Sequence, residues 1–172
     1  MSKSFDFKEP RAITSKDPVA DFDCEVEILN RYLQKHAFQA QQGEGARTYV
    51  TFSLDGNIAG YFTLAYGSVE HDKVPERVTK GLARHPIPVM LLARLAVDKR
   101  FKGQGLGKEL MRDAMLRTLN AAEIAGLRAI VVDAKDDDAK AFYKHYGFEA
   151  FKNEPMRLSL ILKDVRALIG KN

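Results

Sequence analysis

LLARLAVDKRFKGQGLGK, residues Leu91–Lys108, reads as a buried strand, a sharp glycine turn and the opening of a long helix. Gly103, Gly105 and Gly107 accept backbone conformations that a Cβ resists, so the main chain can approach a ligand closely. The helix after them points unpaired N–H groups and its positive dipole end into the turn, which favours phosphate. Arg100, Lys102 and Lys108 add positive charge around it. Spacing excludes two familiar phosphate loops. A P-loop would need glycine at Lys102 and a hydroxyl at Glu109, and a dinucleotide fingerprint would need glycine at Lys108.

What remains, Arg100-Phe-Lys-Gly103-Gln-Gly105, resembles the R/Q-x-x-G-x-G/A signature of the GNAT superfamily of acetyl-CoA-dependent N-acyltransferases, in which the loop amides hold the cofactor pyrophosphate. A second motif lies further along. Ala139–Phe148 follows the pattern A-x-x-F-Y-x-x-x-G-F on a late helix and its exit. Adjacent aromatics on an amphipathic helix are usually core. After the glycine loop, the resemblance instead implies that Phe142 packs inward beside the pantetheine arm and that Tyr143 lies near the sulfur.

The rest of the chain supports a single α/β domain over residues 1–172, an α+β arrangement with a mixed central sheet flanked by helices, as in the GNAT fold. Residues 1–23 form an irregular arm or a first short strand. Asp23 is placed to cap a helix over Cys24–His36, followed by a short helical piece at Phe38–Gln42. Thr48–Leu54 and Ile58–Tyr66 read as strands joined by a type I′ turn at Asp55-Gly56. Gly67–Pro88 is irregular, either a solvated loop or a basic rim for a polyanion. The helix after the glycine turn buries Leu106, Leu110 and Ala114 beside Met111 and Met115, with Gly126 as its C-cap. Ala129–Ala134 is a strand, a helix starts at Asp136–Asp138 and ends at Gly147, and Arg157–Leu162 is a final strand before a helical tail.

The chain has 172 residues, 45% hydrophobic and 29% charged, which excludes a disordered polymer. One cysteine, Cys24, excludes an internal disulfide framework and a cysteine-rich zinc site, and fits a cytoplasmic location. The N-terminal residues show no apolar signal segment, and no run is long enough to span a bilayer. The net charge of +4 permits a nucleic-acid partner without demanding one.

Transfer of an acetyl group from a thioester to an amine leaves a thiolate. Tyrosine, near pKa 10, stays protonated at neutral pH, so Tyr143 is the candidate general acid. A backbone N–H among Leu95, Ala96 and Val97 would polarise the carbonyl oxygen. The histidines are not spaced as metal ligands, and no metal is expected. Asp98 and Glu44 are the available general bases, and neither sits in a motif that compels the role. A site without an obvious base suits an α-amine, near pKa 8, better than a lysine near 10.4.

Several further pieces carry a narrower resemblance. Phe22-Asp-Cys24, Leu29–Leu33, Ala46–Val50, Tyr61–Ser68, Ile87-Pro-Val89, Leu92–Asp98 and Phe142-Tyr143 resemble the GNAT toxins of bacterial toxin–antitoxin modules. That resemblance implies acetylation of the α-amino group of aminoacyl-tRNA, a block to translation, a ribbon-helix-helix antitoxin and a homodimer. It gives Tyr143 the catalytic role. It assigns acetyl-CoA to Leu95, Ala96, Val97, Arg100, Lys102, Gly103, Gln104, Gly105, Gly107, Lys108 and Phe142. Arg47 and Arg94 are candidate phosphate or acceptor-stem contacts, or strand-surface ion pairs; Lys35, Arg77, Lys80 and Arg84 are candidates of the same kind. The chain departs from the group at Glu25, where glycine is frequent. Two other readings stay open: an acetyltransferase for a small amine such as a polyamine or drug, and a non-catalytic acetyl-CoA-binding module.

Overall fold

A computed structural model describes residues 6–170. In chain order the elements are β1 (Arg11–Ala12), α1 (Glu27–Arg31), a π-helical turn (Tyr32–His36), α2 (Ala37–Gln42), β2 (Arg47–Phe52) and β3 (Ile58–Val69). Then come α3 (Glu76–Thr79), β4 (Ile87–Val97), a 3₁₀ turn (Lys99–Phe101), α4 (Leu106–Ala122), β5 (Ala129–Asp133), α5 (Asp137–His145), β6 (Glu149–Phe151), β7 (Glu154–Ile161) and α6 (Leu162–Gly170). The strands form one seven-stranded sheet in the order β1-β2-β3-β4-β5-β7-β6. β4 and β5 pair in parallel, and β1-β2, β2-β3, β5-β7 and β6-β7 are antiparallel, so the sheet is mixed as expected.

The chain divides into two compact units. The first comprises the chain up to Ala65 with Arg94–Asp113. Its core gathers Phe22, Cys24, Tyr32, Leu33, Val50, Ile58, Tyr61 and Ala96. Gly60 is tightly enclosed here: a Cβ on it would lie 2.8 Å from Leu110 Cδ1 and 3.0 Å from the Ala96 carbonyl. A methyl group there would have to push the Leu110 side chain aside and would press on the β4 backbone.

The start of this unit differs from the sequence expectation. The helix begins at Glu27, not Cys24, and Val26 is its N-cap. Asp23 ties the turn in front instead, accepting from Glu25 N–H at 2.8 Å and Asn30 Nδ2 at 2.9 Å. The chain reverses at Glu25, whose φ is +69°, a conformation natural to the glycine frequent at this position in the toxin group. The expected break between two helical pieces is a π turn, closed by Ala37 N–H donating to Tyr32 C=O. The Asp55-Gly56 connection is not type I′. Only Gly56 has positive φ (+84°), and its N–H donates to Ser53 C=O while Ser53 N–H donates to Asn57 C=O. The loop is one residue longer, and glycine closes it in the left-handed conformation.

The second unit comprises Tyr66–Ala93 and the chain from Ala114 onward, around Val69, Val74, Val78, Val89, Ala129, Val131 and Phe151. β3 runs on to Val69 and β4 begins at Ile87, so the irregular stretch is shorter than expected and contains α3. Gly126 does not cap α4. The helix ends at Ala122, Ala125 N–H bonds back to Ala121 C=O, and Gly126 lies in the exposed turn beyond without positive φ. β6 escapes sequence reading because three residues are too few to show a period. It folds onto β7 through a turn in which Asn153 takes φ +62°, and β7 starts at Glu154 rather than Arg157.

Candidate active site

The parallel ladder registers Val89–Leu92 against Ala129–Val132, and β4 continues to Val97. Asp98 N–H donates to Ala59 C=O at 2.8 Å. Backbone groups alternate along a strand, so Ala96 N–H points the same way as that of Asp98 and the N–H groups of Leu95 and Val97 point to the other edge. Two backbone donors from the expected segment therefore share one edge.

Asp98 anchors the turn at the end of β4. Its carboxylate, buried, accepts from Asp23 N–H (3.0 Å), Arg100 N–H (2.9 Å), Arg100 Nε (2.9 Å) and an Arg100 terminal nitrogen (3.0 Å). Burial alone would raise its pKa; the bonds from Arg100 and the two backbone N–H groups outweigh that and hold the carboxyl below the usual range. A buried carboxylate that already accepts four hydrogen bonds is a hinge pin, which removes Asp98 as a general base. Glu44, the other candidate, is exposed at φ +60° in the turn after α2.

Gly103 and Gly105 come next at φ +80° and +81°, with nothing within 4 Å of where a Cβ would stand. The first α4 bond runs from Glu109 N–H to Gly105 C=O at 3.2 Å. Helix geometry then leaves the N–H groups of Leu106, Gly107 and Lys108 without an intrahelical acceptor. An open, side-chain-free cradle edged by helix N–H donors fits the pyrophosphate of acetyl-CoA. The cations around it differ in availability. Arg100 is bound to Asp98, and Lys102 Nζ donates to Cys24 C=O (3.1 Å) and lies 3.3 Å from Glu25, while Lys108 is exposed.

The second motif is built from side chains. Asp136 caps α5, accepting from Ala139 N–H at 2.8 Å, and Asp137 and Asp138 sit in its first turn, where the dipole favours them. Tyr143 is buried and meets Phe142 (5.3 Å, 73°) and Phe148 (5.4 Å, 60°) edge-on. Gly147 at φ +95° turns the chain so that Phe148 N–H reaches Tyr143 C=O at 3.2 Å. Burial pushes the Tyr143 phenol up to about 12, so it is protonated throughout the physiological range.

The six basic candidates separate on inspection. Arg77 bridges Glu149 (3.3 Å) and Asp164 (2.9 Å), tying α3 to β6 and α6. Lys80 and Arg84 are exposed, as are Lys35 on the π turn and Arg47 at the start of β2. Arg94, half-buried, lies with its guanidinium carbon 3.6 Å over the Tyr32 ring. Among the described residues no group of three or more His, Cys, Asp or Glu could hold a metal ion, and no helix is long and apolar enough to cross a membrane.

Residues 44–150, which include both motifs, match the acetyltransferase (GNAT) domain family. The chain belongs to the GNAT family. It is 44% identical to a tRNA-acetylating toxin of Mycobacterium tuberculosis (strain ATCC 25618 / H37Rv) over 164 residues, 95% of this chain and 98% of that protein. Among solved structures it resembles AtaT complexed with acetyl-methionyl-tRNAfMet, at a TM-score of 0.86 and 27% identity over 95% of this chain and 99% of that one. It also resembles a Tyr-to-Phe mutant of AtaT bound to the C-terminus of the antitoxin AtaR and acetyl-CoA, at a TM-score of 0.80 and 26% identity, covering 96% and 99% of the two chains.

Within this GNAT chain three features escaped sequence reading. The role of Asp98 as anchor depends on Asp23, 75 positions away. Arg128 donates to the carbonyls of Val78 (2.7 Å), Arg77 (3.2 Å) and Lys80 (3.0 Å), capping α3 from a distant loop. Neither leaves a local pattern. Tyr32 did have a signal, since it lies in Leu29–Leu33, one of the pieces that resemble the toxin group, but the π turn that orients it has no sequence code.

Proposed function

We propose that this chain is an acetyl-CoA-dependent N-acetyltransferase toxin that acetylates the α-amino group of aminoacyl-tRNA and so blocks translation. The observation that carries this reading is the 44% identity to the tRNA-acetylating toxin across nearly the whole of both chains, joined to a complete glycine cradle and a buried Tyr143.

The open N–H groups at Gly103–Lys108 hold the pyrophosphate, with Lys108 as the available cation and Phe142 beside the pantetheine arm. Arg100 and Lys102 shape the cradle through Asp98 and Cys24 rather than by direct contact. When bound, acetyl-CoA supplies an activated acetyl thioester. The N–H groups of Leu95 and Val97 stabilise negative charge on an acyl oxygen. Tyr143 Oη keeps its proton and offers it to a thiolate sulfur. At about 12 it is a weaker acid than a thiol near 8.5, so it acts first as a hydrogen-bond donor to developing charge. With Asp98 committed elsewhere, the acceptor amine must arrive partly neutral, which an α-amine does and a lysine does not. The chain works as a homodimer neutralised by a ribbon-helix-helix antitoxin, as the toxin group implies.

The test is transfer of labelled acetyl from acetyl-CoA to charged tRNA, with deacylated tRNA and a polyamine in parallel. Label on charged tRNA alone, abolished by Tyr143→Phe, supports the reading. Label on the polyamine alone refutes the tRNA assignment and leaves a small-amine acetyltransferase.

A further inference from the structure

Gly103 and Gly105 are exposed at positive φ, and glycine has more backbone freedom to lose than any other residue. A loop that is ordered only when its ligand arrives binds weakly, whereas one already held in the bound form binds tightly. The shape of the cradle therefore comes from its flanks. On the C-terminal side α4 fixes it, through the bond from Glu109 N–H to Gly105 C=O. On the N-terminal side stands the Lys99–Phe101 turn, in which Arg100 is tied to the Asp98 carboxylate and Phe101 N–H donates to Asp98 C=O at 2.9 Å.

The half-buried Phe101 ring is met from the other end of the sequence. Phe7 approaches it edge-on, with 5.6 Å between ring centres and 90° between planes. The arm that delivers Phe7 is fastened along its length. From Ile13 back to Phe7 it runs antiparallel to β2. Ile13 N–H donates to Thr48 C=O (2.9 Å), Arg11 and Ala12 pair with Val50 and Tyr49, Lys8 N–H donates to Phe52 C=O (2.9 Å), and Phe7 bridges Ser53. Thr51 Oγ1 donates to Lys8 C=O, and the Arg11 guanidinium carbon lies 4.6 Å over the Phe52 ring. An edge strand held at these points presents the Phe7 ring at a fixed place. Its target, Phe101, is followed at once by the extended Lys102 that leads into Gly103.

Resting on the reading of Gly103–Lys108 as the pyrophosphate site, we propose that Phe7 is a positioning residue for acetyl-CoA, acting through Phe101 to hold the cradle in its binding form before the cofactor arrives. The role is preorganisation, not contact with the cofactor. An edge-to-face aromatic pair contributes modestly beyond its buried area, and breaking it shifts that contribution into the ordering cost met on binding. The effect is confined to ligands that use the cradle.

The experiment compares wild type, Phe7→Ala, Phe7→Leu, Phe101→Leu and the double variant Phe7→Leu/Phe101→Leu. It measures the Kd for acetyl-CoA by calorimetry, and acetyl transfer from acetyl-CoA and from S-acetylpantetheine, a donor that has the thioester without the pyrophosphate. Phe7→Ala is expected to raise Kd and KM for acetyl-CoA by about threefold to tenfold. The kcat at saturating acetyl-CoA and kcat/KM on S-acetylpantetheine should stay at wild-type values. Phe7→Leu keeps apolar volume on the arm and should fall between Phe7→Ala and wild type. In the Phe101→Leu background Phe7→Leu should change nothing further, because the pair is already broken. An acetyl-CoA Kd unchanged in the Phe7 variants overturns the proposal. So does an equal loss on the two donors, which would make Phe7 a residue of the fold alone, and so does full additivity in the double variant. Should Phe7→Ala not fold, Phe7→Leu and its cycle with Phe101→Leu decide in the same way. If wild type uses the two donors equally well, the pyrophosphate reading itself has failed, an outcome distinguishable from the others because it involves no variant.

Discussion

Asp98–Lys108 and Asp136–Phe148 carry the two family motifs by opposite means. The first works through main chain: two glycines at positive φ, nothing within 4 Å of their absent side chains, and a buried carboxylate that pins the segment from behind. The second works through side chains, with Tyr143 wedged between Phe142 and Phe148 so that one hydroxyl is presented at a fixed place. A main-chain site tolerates almost any neighbour but resists a Cβ where φ is positive and the backbone must stay open. A side-chain site tolerates changes of backbone propensity but not the loss of one atom.

Substitutions should therefore produce crossed phenotypes. Tyr143→Phe keeps the ring contacts and removes the hydroxyl. Acetyl transfer should fall by about 10²–10⁴-fold, with acetyl-CoA binding and the melting temperature unchanged. Weakened acetyl-CoA binding in that variant would break the contrast. The wild-type pH profile sharpens it further. kcat/KM should rise through about pH 8 as the α-amine loses its proton and show no fall near pH 10, because burial holds Tyr143 at about 12. A descending limb near 10 would mean that the phenol is solvated in the working enzyme.

Asp98→Ala tests the pin. Removing a buried carboxylate that accepts four hydrogen bonds should cost about 3 kcal/mol in denaturant unfolding. Since its folded pKa is depressed, the stability Asp98 contributes is present above its unfolded value, about 3.9, and is lost as pH falls through the lower folded value. The variant should accordingly lose less stability than wild type on acidification below about pH 4. Gly105→Val forces a β-branched residue to φ near +81°, with a strain of about 1–2 kcal/mol, and should weaken acetyl-CoA binding about tenfold by calorimetry while Tyr143 chemistry at saturating cofactor persists. The smallest effect expected is in Glu25→Gly. Relief of φ +69° should stabilise the chain by about 0.5–1 kcal/mol, offset by the lost contact to Lys102.

The contrast also explains what could be read from sequence. Strand, glycine turn and amphipathic helix follow from local rules of period and conformational freedom, so β4, the cradle and α4 were legible to within a few residues. The helix that carries Tyr143 was legible because it has a cap, a period and a terminating glycine. The charged residues were not. Arg77 and Arg84 look alike in the sequence and are both exposed, yet Arg77 is held by two carboxylates. Lys102 and Lys108 flank the same glycines and are both exposed, yet Lys102 is engaged by Cys24 and Glu25. These pairings are settled by residues tens of positions away, and no local pattern records them. The same holds for the π turn, whose wide hydrogen bond is chosen by packing around Tyr32 and Leu33.

Gly60 lies outside both motifs, yet a methyl group there would meet Leu110 and the Ala96 carbonyl at once, and come within 3.4 Å of Leu106. Those residues belong to the helix that opens the cradle and to β4. The spacing between them is set by a hydrogen atom in the middle of β3. A selection for cells that survive expression of this chain should therefore recover changes at Gly60 that leave every catalytic atom in place and still silence the enzyme.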